Sequence, residues 1–83
     1  MNQPVIGMLF LVAFNFVPVG YAACNGQQMS VDENAPLFAV LAHLYGGDGK
    51  TTFNLPNLPP VKDANGNSLT WIIATQGFMP VHQ

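Results

Sequence analysis

The sequence is short of charged residues. Two basic and four acidic residues make up 7% of the 83 residues, whereas typical domains carry about 25%. The two lysines, Lys50 and Lys62, are too few to form a basic patch that binds nucleic acid. Apolar residues reach 49%, so the surface of this short chain must be partly apolar, as contact surfaces are. We therefore expect an oligomer or a polymer.

Cysteine and histidine are also scarce. The single Cys24 cannot form an internal disulfide, and we expect it to be a small, buried apolar side chain. His43 and His82 lie far apart in the sequence and have no spacing typical of a metal site. No catalytic carboxylate pair and no Ser-His-Asp or Cys-His arrangement is recognisable. We predict that the protein is not an enzyme and has no cofactor or metal.

Residues 4–24, PVIGMLFLVAFNFVPVGYAAC, contain no charged side chain. They lack the basic start of a signal peptide, and Asn15 and Pro18 interrupt them as a membrane span. The apolar and β-branched residues instead predict a strand over residues 5–14, with Gly7 as a candidate bulge. We expect this stretch to remain in the mature protein and no membrane span to form. A processed lipoprotein with Cys24 at its mature terminus is the less favoured alternative.

Turn signals divide the rest of the chain. Residues 15–20 and Asn25-Gly26 predict turns, and a short second strand is expected between them, over residues 21–24. Residues 63–67 predict a further turn. The alternating residues 69–74 then predict the last strand.

One helix is expected near residues 33–45. Ser30 and Glu33 match a capping box, with Asp32 and Asn34 as alternative caps. Apolar side chains follow at helical spacing on one face, namely Leu37, Phe38, Leu41, Leu44 and Tyr45, and Gly46-Gly47 would end the helix. Residues 46–60 then predict a long structured Gly/Pro loop, held to the core by Phe53, Leu55 and Leu58.

The segment GGDGKTT within this loop is not a phosphate-binding loop. That motif requires a glycine five residues before Gly49-Lys50-Thr51, and this position is Leu44. The motif also follows a strand, whereas a helix is predicted here. We therefore expect no nucleotide binding.

Three segments carry a family pattern. Residues 15–27, NFVPVGYAACNGQ, resemble Asn-Phe-Ala-Pro-x-Gly-Trp-Ala-x-Cys-Asn/Asp-Gly-Gln, and residues 34–58, NAPLFAVLAHLYGGDGKTTFNLPNL, contain its Tyr-Gly-Gly-Asp-Gly and Thr-Thr-Phe-x-Leu-Pro motifs. Residues 69–80, LTWIIATQGFMP, resemble the strand that closes its short members. The chain thus resembles the phage tail collar domain family, also called microcystin-dependent-protein-like, in its short form.

The resemblance implies one α+β domain over residues 1–83, a small β-rich collar-type module with one central helix. Such modules are structural parts of tail fibres and related bacterial surface or secreted proteins, and they assemble as oligomers without catalytic residues. Two departures are evident. Tyr21 replaces the usual tryptophan, and Asn57-Leu58-Pro59-Pro60 replaces a charged segment.

We therefore expect a self-assembling structural subunit of an extracellular filament, tail fibre or phage-tail-like particle. Its partners would be its own copies and other tail proteins. Residues 5–14 and 69–73 would pack against each other and partly against neighbours, and a strand added to a neighbouring sheet is one plausible joint. The candidate interface residues are Val5, Leu9, Leu11, Phe14, Trp71, Ile73 and Phe78.

The alternative function is surface recognition, in which the protein is a tip module that binds glycans or a cell-surface receptor. Exposed amides and one aromatic ring would supply the contacts. The candidate residues are Gln27, Tyr45, Asp48, Asn54 and Asn57. The competing interpretation is that the Gly-Gly-Asp-Gly loop only maintains the fold.

Overall fold

The computed structural model describes residues 3–80, which form two antiparallel sheets and one short helix. In chain order the elements are β1 (Leu9–Val12), β2 (Tyr21–Ala23), β3 (Gln28–Ser30), α1 (Ala35–Leu41), β4 (Thr52–Asn54), β5 (Val61–Lys62) and β6 (Ser68–Ala74). Strands β1, β2, β5 and β6 form the larger sheet, and β3 and β4 form a two-stranded ribbon. The arrangement is a small β-rich α+β fold, as expected from the sequence.

Strand β6 is the centre of the larger sheet. It pairs with β1, β2 and β5, and all three pairings are antiparallel. The apolar end of β6 is buried, with Ile72, Ile73 and Ala74 each no more than 2% exposed. Its register places Leu9 opposite Ile73 and Val12 opposite Thr70. The two apolar segments that we expected to pack together are thus neighbouring strands.

The predicted first strand is interrupted at Gly7. Met8 N donates to Val5 O at 3.0 Å and closes a turn in which Gly7 has a φ of +91°. Ala74 O accepts from Gly7 N, and Ala74 N donates to Met8 O, both at 2.9 Å. Gly7 and Met8 therefore both lie opposite Ala74, which is a bulge of the kind that requires glycine. The regular strand begins only after it, at Leu9.

Helix α1 is shorter than predicted. Pro36 lies in its first turn, as expected, and Ala42 ends it with a φ of 52°, before the glycines at 46 and 47 are reached. Asn34 is the N-cap but makes no side-chain capping bond. Because the chain leaves the helix at Ala42, Leu44 and Tyr45 are not on its buried face and are 77% and 51% exposed.

The predicted loop at residues 46–60 contains a strand that the sequence analysis missed. Strand β4 pairs with β3, and Met29 lies opposite Phe53. An isolated bridge between Asn25 and Asn57 continues the same pairing. Within this segment Phe53 and Leu55 are 0% and 1% exposed, so their predicted burial is confirmed.

The core draws side chains from the sheet, the helix and the ribbon. Its most buried members are Leu37 of α1, Phe53 and Leu55 of the ribbon, and Ile73 of β6. Phe38 and Phe53 rings pack at 5.4 Å. Complete burial of such a side chain contributes about 1.5–3 kcal/mol, so these residues hold the three parts together.

The opposite face of the sheet is also covered, but by the sheet's own aromatic side chains. Phe10 lies opposite Ile72, and Tyr21 lies opposite Ala74. The two rings meet edge to face at 5.7 Å, an arrangement that aromatic pairs favour.

Within residues 3–80 no helix has the length and apolar character that a membrane span requires.

Candidate functional site

A run of exposed apolar side chains follows β1 and the bend after it. Met8, Leu9 and Leu11 are 40–44% exposed, Phe14 is 39% exposed and Phe16 is 62% exposed. We call these five side chains the apolar edge. No charged side chain precedes Asp32 in the sequence, so none from this part of the chain interrupts the surface. Apolar patches of this kind mark contact surfaces.

The backbone of β1 is open on one side. The bulge makes Met8 and Ala74 a hydrogen-bonded pair, and such pairs alternate along antiparallel strands. Phe10 and Val12 therefore face β6 with their backbone groups, and Leu9 and Leu11 direct theirs away from it. Strand β1 is the end strand of its sheet, and among residues 3–80 no second strand pairs with it. Free N–H and C=O groups thus lie beside exposed leucine side chains.

The bend after β1 carries two phenylalanine rings. Phe14 and Phe16 stack with centroids 4.6 Å apart and an interplanar angle of 25°. Stacking keeps both rings together on the surface instead of burying either. The apolar edge therefore extends beyond the strand into this bend.

Three of the predicted interface residues, Leu9, Leu11 and Phe14, belong to the apolar edge. Phe78 is 61% exposed and forms an isolated bridge with half-buried Val5, outside β1 itself. The remaining two belong to β6. Trp71 is half-buried against the core, and Ile73 is 1% exposed. The side chain of Ile73 is thus buried in the core of its own chain, and an interface role for it stays a prediction.

The sequence analysis missed Met8 and Phe16 as exposed apolar residues. Met8 follows the Gly7 bulge, and Phe16 lies in a segment predicted only as a turn. Bulky apolar side chains within a charge-free turn are themselves a signal, because turn segments are on the surface. That signal could have identified Phe16 from the sequence.

Most of the predicted recognition residues lie on the ribbon or next to its ends. Gln28 pairs with Asn54, and Gln27 O accepts from Leu55 N at 3.0 Å. Asn57 lies opposite Asn25. Tyr45 precedes Gly46, whose carbonyl accepts from Asn54 N at 3.1 Å, so Tyr45 lies next to the end of β4.

Asp48 is the centre of the Gly-Gly-Asp-Gly turn. Its Oδ1 accepts hydrogen bonds from the backbone N–H groups of Thr52, Lys50 and Thr51 at 2.8–2.9 Å, and its Oδ2 accepts from Thr51 Oγ1 at 2.8 Å. These bonds, led by the one from Thr52, hold the pKa of Asp48 well below its ordinary value. Both carboxylate oxygens are therefore engaged by the loop itself.

The chemistry of the described residues is limited. Within residues 3–80 no three His, Cys, Asp or Glu side chains lie together as metal ligands would. Cys24 is 3% exposed, and burial raises the pKa of its thiol, which disfavours the reactive thiolate. His43 is exposed, and His82 lies outside the described residues.

Comparison with known proteins identifies one family. The family model of the Phage Tail Collar Domain matches residues 7–60, which run from the Gly7 bulge through β1, the helix and the ribbon. No curated protein and no solved structure gives a significant match. The finer likeness to microcystin-dependent proteins stays a prediction.

Proposed function

The chain belongs to the phage tail collar domain family, and from this premise we propose that it is a self-assembling structural subunit of a tail fibre or phage-tail-like particle. Family membership supports a structural part in a phage tail, with a place on the virion outside the cell, and gives no reason to expect catalysis. We further propose that residues 1–83 act as one domain. Its partners would be its own copies and other tail proteins.

The observation that carries self-assembly is the apolar edge. It combines five exposed apolar side chains with a strand whose outer backbone groups point away from the sheet. A free monomer would leave these groups in water, whereas a neighbouring copy would cover both. With only six formal charges per chain, copies meet with little like-charge repulsion.

Light scattering of the full chain across micromolar concentrations tests this proposal. We expect a mass above that of the 8.9 kDa monomer, rising with concentration. Negative-stain electron microscopy then distinguishes rings and particles from filaments. A monodisperse monomer throughout the range would contradict self-assembly.

A second candidate function is surface recognition by the ribbon end. The supporting observation is Tyr45, whose side chain is 51% exposed and whose chain neighbour Gly46 lies against the Asn54 side-chain amide. An exposed aromatic ring beside amides suits the flat, hydroxylated faces of sugars. Saturable binding on a glycan array that Tyr45→Ala abolishes would favour this function, and His43→Ala is the matched exposed control. Unchanged array signals in Tyr45→Ala would remove the candidate.

A further inference from the structure

The joint between copies can be specified, provided that the chain self-assembles as proposed. We propose that two copies pair through β1, antiparallel and around a two-fold axis, with Phe10 opposite Phe10 of the second copy. The two four-stranded sheets then become one continuous sheet. Such a joint is isologous, because each copy presents the same strand.

The other edges of the larger sheet are protected. On the outer side of β2, Tyr21 N donates to Pro18 O at 3.2 Å, and Ala23 O accepts from Gln27 Nε2 at 3.1 Å. Strand β5 is two residues long, contains Lys62 and follows two prolines. Short length, lysine and proline are the usual means of blocking an edge.

The edges of the ribbon are also occupied. Asn54 N of β4 donates to Gly46 O at 3.1 Å. On β3, Ser30 O accepts from both Asn34 N and Asn34 Nδ2, at 3.1 Å each. A second copy therefore finds one regular strand without such protection in the described part of the chain, and this strand is β1.

Strand β1 is suited to pair with its own copy. Strand β1 reads Leu-Phe-Leu-Val, without the lysine, proline or inward charge that prevents edge pairing. A charged partner strand would find no charged side chain on β1 to form an ion pair with. Two copies of β1 meet without repulsion, and Leu9 and Leu11 of one copy gain apolar neighbours on the other.

The outward-directed backbone groups determine the register of this joint. Leu9 and Leu11 alone direct their N–H and C=O groups away from β6. All of these groups are satisfied when Leu9 pairs with Leu11 of the second copy and Leu11 with its Leu9. A shift of one residue would place outward groups opposite inward ones, and a shift of two would leave Leu9 opposite the bend at Ala13. Phe10 then lies on the two-fold axis.

A cysteine cross-link tests this register directly. In a Cys24→Ala background, Phe10→Cys would place two Cα atoms about 4.5 Å apart across the joint, within the range of about 4.4–6.8 Å for a disulfide. Val12→Cys is the matched control on the same strand and face, with about 14 Å between the two Cα atoms. Under mild oxidation we expect a covalent dimer from the first variant and almost none from the second, with circular dichroism confirming that both fold.

Edge substitution gives a second, independent measurement. Leu11→Lys adds a charge to the joint and leaves the pairing with β6 intact, so we expect the dissociation constant to rise about tenfold or more. Leu44→Lys places the same charge at a leucine that is 77% exposed and outside the sheet. This variant should change the dissociation constant less than about twofold.

The outcomes separate the joint from the proposed function. If the wild type assembles but Phe10→Cys forms no cross-link, or if both lysine variants have equal effects, the β1 joint is overturned and self-assembly still stands. A cross-link in Phe10→Cys together with a wild type that stops at the dimer supports the joint and contradicts a larger fibre. A wild-type monomer at micromolar concentration overturns both.

Discussion

The backbone of Gly47 lies directly on Phe53, since a Cβ atom placed on Gly47 would be 2.5 Å from the Phe53 Cα atom. Gly47 also has a φ of +92°, which residues other than glycine adopt only with strain. Phe53 is fully buried. The Gly-Gly-Asp-Gly turn is thus fixed against the strand that carries the central aromatic ring of the core.

This contact predicts different costs for two glycine substitutions. Gly66→Ala meets only backbone strain, because its φ is +85° and nothing lies within 4 Å of the added carbon, so we expect it to lower the free energy of unfolding by about 1–2 kcal/mol. Gly47→Ala has the same strain plus the clash with Phe53 and should cost more. Urea unfolding followed by circular dichroism measures both, and equal costs would contradict the contact.

The Asp48 turn predicts an acid-sensitive stability. The pKa of Asp48 is lowered in the folded chain, and that of Asp63 is lowered as well, chiefly by the hydrogen bond from Asn67 N. Such carboxylates contribute stability above the ordinary aspartate pKa of about 3.9, and this stability is lost as the pH falls through the folded value. At pH values below about 4, we expect the urea concentration at the unfolding midpoint to decrease, and to decrease less in Asp48→Asn than in the wild type.

Asp63→Asn provides the comparison for this experiment. Its carboxylate accepts from Asn65 N at 2.8 Å and Asn67 N at 2.9 Å, in a turn remote in sequence from Asp48. The double variant should have the weakest pH dependence of the set. If Asp48→Asn keeps the full wild-type slope, the turn does not stabilise the folded state through this carboxylate.

Burial of Cys24 predicts a slow thiol. Because the residue is 3% exposed and the pKa of its thiol is raised, reaction with a thiol reagent at pH 7 should require unfolding. Labelling in denaturant should be complete while labelling of the native protein is slower by orders of magnitude. Rapid native labelling would show that the structure around Cys24 opens readily.

The stacked phenylalanines predict a substitution that weakens self-association with little effect on the stability of the fold. Phe16→Ser removes the most exposed ring of the apolar edge, and we expect weaker self-association with a change in unfolding free energy of about 1 kcal/mol or less. Sedimentation and thermal melts measure the two effects. Tyr45→Ser, which removes another half-exposed ring outside the apolar edge, should leave self-association unchanged.

Much of the fold could be predicted from the sequence because its signals were local. The alternation in residues 69–74 and the apolar run at residues 9–12 gave the two neighbouring strands β6 and β1. The turn residue Gly7 marked the bulge. The burial of Phe53 and Leu55 followed from their apolar character within a polar segment.

The missed elements depend on contacts between distant segments. Strands β3, β4 and β5 are two or three residues long, too short for an alternating pattern. Strands β3 and β4 exist because Gln28–Ser30 meets Thr52–Asn54, and β5 exists because it pairs with β6. The end of the helix was also missed, since Ala42 rather than a glycine takes the positive φ. Which side of β1 remains open could not be known before its pairing partner was known.

The order of strands in the sheet has a consequence for synthesis on the ribosome. Strand β1 can pair only when β6 has emerged, about 60 residues later, which at 5–20 residues per second takes about 3–12 s. During this interval the nascent chain presents the charge-free Leu-Phe-Leu-Val segment with both of its edges unpaired. The strand that we propose to join finished copies is therefore also an unpaired apolar segment, open to aggregation, until the chain is complete.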